Sequence, residues 1–278
     1  NNNNNIFNKA KKLLIFTIRL IYNSLFFNFD LIHAHFAYPT GFLTLIAKLI
    51  SQKKMVLTIH GSDINELEQK NSFKFLLTKF TLNNVNKIIA VSNNLKKKTV
   101  NKFNIPDNKI SVIDMGYDPK LFYPKSYHNL EYSSKLKFLF VGRLVPIKGL
   151  DILIKAFSKI NSLQKNLNYE CSIIGDGFQK MNYKKYITTL SLSDRVKFLG
   201  YKTQIEIGKM MREADFVIIP SLKEGFGLVA IESLACGTPI ICSETGGLKD
   251  IVINKKNGFI FPPGDYKKLS EILISLIN

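Results

Sequence analysis

Pro220-Ser221-Leu222-Lys223-Glu224-Gly225-Phe226-Gly227-Leu228-Val229-Ala230-Ile231-Glu232-Ser233-Leu234-Ala235-Cys236-Gly237-Thr238-Pro239 follows an apolar run at residues 216–219 and decides how the whole chain is read. The order is a short buried strand, a loop with Glu224 and a Gly-Phe-Gly turn, then a helix-patterned segment carrying Glu232. Glycines let the backbone approach a ligand closely, and the first free N–H groups of a helix, helped by its dipole, suit a phosphate. Two carboxylates beside such an anion site can accept hydrogen bonds from sugar or ribose hydroxyls. A lone Glu near a Gly-rich helix start also occurs for turn geometry and solubility, so the weight lies in the block as a whole.

Outward from this block, apolar strand-like runs alternate with helix-like ones, the pattern of parallel sheets covered by helices. Upstream the pattern predicts helix 6–27, strand 31–35, helix 39–51, strand 55–59, helix 70–83, strand 87–91, helix 93–103 and a short strand near 109–113. After it come strands at 137–141, 169–174, 196–199, 216–219, 239–242 and 258–261, with helices at 149–160, 178–190, 204–213, 228–236 and from 265. Residues 1–5 are all asparagine and read as a disordered, low-complexity start. Residues 6–114 read as one Rossmann-like domain, residues 115–135, rich in Asp, Pro, Tyr and Ser, as a linker, and residues 136–278 as a second Rossmann-like domain.

The chain has 278 residues and is 46% hydrophobic, enough for two ordinary cores. Its three cysteines, Cys171, Cys236 and Cys242, lie in apolar segments without the paired spacing of a zinc site and read as core thiols. The net charge of +18 is spread along the chain rather than gathered in one stripe, which argues against a nucleic-acid partner. Residues 9–27 mix Lys11, Lys12 and Arg19 with Leu, Ile and Phe. They suit either the anionic inner face of a cell membrane or a core helix with a solvated basic end. No leader with a small-residue cleavage site is recognised, and no apolar run reaches the length of about 20 residues needed to span a bilayer, so a cytoplasmic location is expected, with peripheral attachment as the extension.

Glu224 and Glu232 stand with seven residues between them. This spacing resembles the E-x7-E motif of the retaining glycosyltransferases of family 4, which have the GT-B fold. Val141-Gly142-Arg143-Leu144-Val145-Pro146-Ile147-Lys148-Gly149-Leu150-Asp151 is similar to that family's second signature. The resemblance implies an α/β chain of two Rossmann-like domains facing across a cleft. It implies an enzyme, a hexosyltransferase, that moves a sugar from a nucleoside-diphosphate sugar to a surface-glycan or lipid-linked acceptor without a cofactor or metal. Arg143 follows a strand and a glycine and Lys148 precedes a helix, so both can point into one crevice. By resemblance they neutralise the leaving diphosphate. Glu224 would bind donor-sugar hydroxyls and Glu232 the ribose, while the amides of Gly225, Phe226, Gly227 and Leu228 would cap the phosphates. The acceptor would attack on the face the leaving group departs from, with a phosphate oxygen taking its proton.

Four further segments resemble the family's donor-site loops. Ile174-Gly175-Asp176-Gly177 matches the strand-end glycine loop, although Gly175 also suits a tight turn and Asp176 a helix cap. Lys197-Phe198-Leu199-Gly200 matches the base-contacting edge, and Gly246-Gly247 the glycine pair near the donor. In Leu57-Thr58-Ile59-His60-Gly61-Ser62-Asp63, His60 stands just past a strand, where the related histidine lies beside the donor sugar and phosphate. A structural His bonded to a loop remains open, and Asp63 reads as a helix N-cap or a ligand. His33 and His35 share one face of a strand, and packing or acceptor contacts are preferred over metal.

The resemblance also implies missing parts. Family members carry a strand, a glycine-rich loop and further units before the segment matching Asp30-Leu31-Ile32-His33, and a terminal helix beyond Asn278, so the first domain is expected to be incomplete. Two alternatives stand beside transfer. One is a non-catalytic sugar-nucleotide-binding or membrane-docked subunit; the other is a GT-B epimerase or sucrose-type synthase.

Overall fold

The computed structural model describes residues 2–65, 67, 72–124, 135–164 and 167–277, and forms two compact units, Asn1–Asp114 and Met115–Asn278.

The first unit has a four-stranded parallel sheet in the order β1 (Leu31–His35), β2 (Lys54–Ile59), β3 (Lys87–Ala90), β4 (Ile110–Val112). Met55, Leu57, Ile59 and Ile88 are fully buried. Around them run α1 (Asn2–Phe26), α2 (Phe42–Ser51), the one-turn α3 (Ser62–Asn65), α4 (Phe73–Asn84) and α5 (Asn93–Phe103). Ser72 and Ser92 cap α4 and α5, accepting from the N–H groups of Phe75 and Leu95. The asparagines read as a disordered start are helical from Asn2. Their turn continues an amphipathic segment, half-buried at Leu13, Leu20 and Ile21 and buried at Ser24, that packs along α2. The outer face of α1 leaves Leu14, Ile18, Tyr22 and Phe26 exposed.

The second unit is a six-stranded, wholly parallel sheet, built from β5 (Leu136–Val141), β6 (Tyr169–Ile174), β7 (Val196–Gly200), β8 (Phe216–Ile219), β9 (Ile240–Ser243) and β10 (Gly258–Phe261). Their order across the sheet is β7-β6-β5-β8-β9-β10. That is third, second, first, fourth, fifth, sixth, the doubly wound Rossmann order. Side chains alternate between two cores, as the period of a strand requires. Phe138 and Phe140 face α6 (Leu150–Leu163), α7 (Lys180–Thr189) and α11 (Tyr266–Ile277). Leu139, Val217, Ile219 and Ile240 face α8 (Gln204–Glu213), α9 (Leu228–Ala235) and α10 (Leu248–Ile251). Continuous apolar strands such as β9, buried at all four positions, are what a sheet covered on both faces needs. Thr203 and Glu206 close a capping box at the start of α8.

Of the segment read as a linker, residues 125–134 lie outside the described residues. The part before them is packed into the second unit. Phe122 is buried in the α8–α9 core, and Arg212 donates to Leu121 O at 3.1 Å and lies over the Tyr123 ring. A polar, proline-containing composition hid one anchoring aromatic. The three cysteines are buried and free. No helix among the described residues is long and apolar enough to cross a membrane.

Candidate functional site

The strand order of the second sheet reverses between β5 and β8. Crossovers leave to opposite faces there and open a crevice beyond the carboxyl ends of the strands, the place where open α/β sheets take ligands. Two sequence-predicted loops meet at this point. From the β8 loop, Leu222 N–H donates to Ile147 O of the β5 loop at 2.9 Å. Gly149 has φ of +68°, and a β-carbon there would strike Pro220 O, so only glycine lets the two loops touch. Between them Lys148 Nζ donates to Glu224 Oε2 at 2.7 Å, and Ser221 Oγ donates to the same oxygen at 3.1 Å. The side chains of Lys148 and Glu224 keep only 24% and 15% of their exposure, so the pair is largely shielded yet reachable.

The β9 loop supports this arrangement from the other side. Ser243 Oγ donates to Ser221 O, and Thr245 Oγ1 to Leu222 O at 3.2 Å. Gly246, at φ of +54°, lies so close to Glu224 O that any β-carbon would collide with it, and a β-carbon at Gly247 would strike Phe226 O. The glycine pair therefore fixes the path of the Glu224–Phe226 backbone. Phe226 is buried beneath the loop, Gly225 and Leu228 reach its surface, and Gly227 is the N-cap of α9 and brings no side-chain cap. That leaves the helix N-terminus open to an anion. Glu232 sits one turn further along α9, half-buried, and burial pushes its carboxyl above the ordinary range.

Arg143 is exposed on the β5 loop, which the β6 loop braces: Gly142 N–H donates to Ile174 O and Leu144 N–H to Asp176 O. Gly175 N–H reaches Gly200 O at 2.8 Å, so the β7 end with half-open Leu199 continues the same row of loops. Asp176 does not cap α7. It holds its own turn, accepting from Lys180 and from Gly177 N–H, and these two lower its carboxyl. The structure thus joins Lys148 to Glu224, sets Gly246 and Gly247 under them, and places Arg143, Gly175, Asp176 and Leu199 along the neighbouring strand ends. Ser221 and Ser243 were not singled out in the sequence, since a serine in a loop carries no pattern of its own.

In the first unit, His60 lies just past β2 and beside the end of β1. His35 Nδ1 and His60 Nε2 share a hydrogen bond of 2.9 Å, and His33 Nε2 bonds Thr58 Oγ1 at 2.8 Å. The rings of His33 and His35 stack at 4.6 Å, and Phe36 packs on His60 at the same separation. Burial above all, then the charges of His35 and His33, hold His60 below the usual imidazole range against the pull of Asp63. Asp63 is neither N-cap nor exposed ligand: it lies within α3 and accepts from the backbone N–H groups of Ala37, His60 and Gly61. Its burial outweighs those bonds and raises its carboxyl. Among the described residues no group of three or more His, Cys, Asp or Glu could hold a metal ion.

Known proteins resemble this chain over most of its length. The family model "Glycosyl transferases group 1" matches residues 126–278, more than half of the chain, and "Glycosyltransferase Family 4" matches residues 3–121. The chain belongs to the group 1 glycosyltransferases. It is 35% identical over 250 residues to the uncharacterized glycosyltransferase MJ1178 of Methanocaldococcus jannaschii, covering 90% of this chain and 66% of the relative. It is 30% identical to the amylovoran biosynthesis glycosyltransferase AmsK of Erwinia amylovora, covering 89% and 61%. Anabaena HepE, solved in complex with UDP and glucose, matches with a TM-score of 0.80 and 26% identity over 94% of this chain and 71% of that one. The two parallel-sheet units are those of the GT-B fold. The chain spans about two thirds of the length of the curated relatives it matches.

Proposed function

We propose that this group 1 glycosyltransferase transfers a hexose from a nucleoside-diphosphate sugar to a glycan or lipid-linked acceptor of a surface polysaccharide, with retention of configuration. The observation that carries the reading is the Lys148–Glu224 pair at the point where the second sheet reverses its strand order. Each member is held by the other until a ligand offers better partners: diphosphate oxygens for the ammonium and sugar hydroxyls for the carboxylate. Arg143 on the same loop adds a second cation, and the uncapped start of α9 adds N–H donors. In the transfer step the bond from the anomeric carbon to the phosphate oxygen breaks, its electron pair staying on that oxygen. The acceptor oxygen bonds the same carbon from the same face and gives its proton to the diphosphate. Lys148 and Arg143 stabilise the charge that builds on the leaving group. Glu232 takes the ribose, Gly175, Asp176 and Leu199 border the nucleotide, and His60 contacts the transferring sugar by resemblance to the family.

Since HepE was solved with UDP and glucose, UDP-glucose is the first donor to try. Proton NMR of a reaction with UDP-glucose and a panel of lipid-linked acceptors reads both turnover and product anomer. An α-linked product that disappears in Arg143→Ala supports the reading; a β-linked product removes retention, and no transfer from any nucleotide sugar removes transfer. The exposed strip Leu14, Ile18, Tyr22 and Phe26, on a helix without acidic residues, suits an anionic membrane surface. Co-sedimentation with phosphatidylglycerol vesicles, lost in Ile18→Ser/Phe26→Ser, tests that.

A further inference from the structure

We propose that His35 is a positioning residue that holds His60 as the neutral tautomer with its proton on Nδ1. The inference rests on the reading of His60 as a donor contact and deepens it. His60 Nε2 is already engaged by His35 Nδ1 at 2.9 Å, which leaves Nδ1 as the ring nitrogen that can serve a ligand. A sugar or phosphate oxygen needs a donor, so Nδ1 must carry the proton, Nε2 must be bare, and His35 Nδ1–H must be the donor of the shared bond. The surroundings fix the orientation of the two rings. The His35 ring stacks on His33, which is pinned to Thr58 Oγ1, while His60 is backed by Phe36.

The backbone on both sides is fastened as well. Phe36, at φ of 67°, bonds Thr58 O through its N–H. The buried Asp63 carboxylate then ties Ala37, just past β1, to His60 and Gly61, just past β2. A bulky aromatic residue in the left-handed region is uncommon and persists only where its neighbours over-determine it. Here that conformation turns the chain immediately after His35 and sets Phe36 against the His60 ring. The groups that bear on the His60 charge are His33, His35 and Asp63. Only Asp63 favours the cation, and its carboxylate is taken up by backbone N–H groups, consistent with a neutral ring.

The test is 15N NMR of the imidazole nitrogens, which needs no turnover and is tractable with four histidines in the chain. The wild type should show His60 protonated at Nδ1 and bare at Nε2. In His35→Ala it should revert to the Nε2–H form that free imidazole prefers. In His35→Asn, whose amide nitrogen stands where Nδ1–H stood, the native tautomer should return, and in His35→Asp, which only accepts, the proton should move to Nε2. An Nε2–H form in the wild type, or one tautomer throughout all four proteins, overturns the proposal. With UDP-glucose, kcat should fall roughly tenfold or more in His35→Ala and His35→Asp while the donor KM stays within about twofold, with recovery in His35→Asn. An unchanged kcat in a variant with the altered tautomer overturns the positioning role. If the wild-type chain transfers no sugar, the transfer reading fails by itself, and the nitrogen shifts still decide between the two arrangements of the pair.

Discussion

Glu232 is a half-buried carboxylate one turn into α9. Burial raises its carboxyl above the ordinary value, and a raised acid contributes stability that is present below the unfolded pKa and lost as pH rises through the folded one. At neutral pH its ionised form therefore costs stability. Glu232→Gln should melt higher than the wild type at pH 7.5, and the advantage should shrink towards pH 4, as a pair of pH-dependent melting curves will show. If the carboxylate takes ribose hydroxyls, the same variant should bind a nucleotide about tenfold more weakly, the loss expected for one hydrogen bond to a charged group. A variant that is less stable and binds normally would make Glu232 structural. Burial raises the Asp63 carboxyl too, but there the carboxylate has partners that a substitution would leave unpaired. Three backbone N–H groups converge on its carboxylate, and Asn keeps only one oxygen for them. Asp63→Asn should cost the first unit about 2 kcal/mol in urea unfolding.

At the scale of elements, the loops proposed to hold the donor are held by other loops. The Gly246 turn after β9 supports the Glu224 turn after β8, which in turn bonds the Lys148 turn after β5. Gly246→Ala would both strain a left-handed backbone and push on Glu224 O, so it should lower stability by about 1–3 kcal/mol and weaken nucleotide-sugar binding although residue 246 offers no side chain to the ligand. Melting and calorimetry on that variant separate the two effects; tight binding in a destabilised variant would show that the loop does not depend on its support. These loops also mark how far the sequence could be read. The strands and most helices were legible because apolar runs bounded by Gly, Pro and Ser carry their own period, and Glu224, Lys148 and Gly246 were singled out through the family resemblance of their motifs. The Ser221 and Ser243 bonds, the Asp63 knot and the His35–His60 bond were not, because each joins residues distant in the chain that no local pattern connects. Phe122 was overlooked for another reason: Leu121-Phe122-Tyr123 is a short apolar run set among the Asp, Pro, Lys and Ser of a linker-like stretch.

At the scale of the molecule, the proposed roles fall on two units with separate sheets. The second contains every residue assigned to the diphosphate, the ribose and Glu224's sugar hydroxyls; the first contributes the histidine cluster and the exposed face of α1. Its Rossmann strand order places the β5 and β8 loops side by side, which the sequence order of the motifs alone does not require. The central claim is that these two loops form a nucleotide-sugar site. Isothermal titration of UDP and UDP-glucose into the chain and its Lys148→Met and Glu224→Gln variants tests it most directly. The account predicts saturable binding, at least about tenfold weaker for both ligands in Lys148→Met, with only the extra affinity from glucose lost in Glu224→Gln. Equal binding by all three proteins, or no binding of UDP, GDP or ADP by a chain whose second unit melts cooperatively, would contradict it.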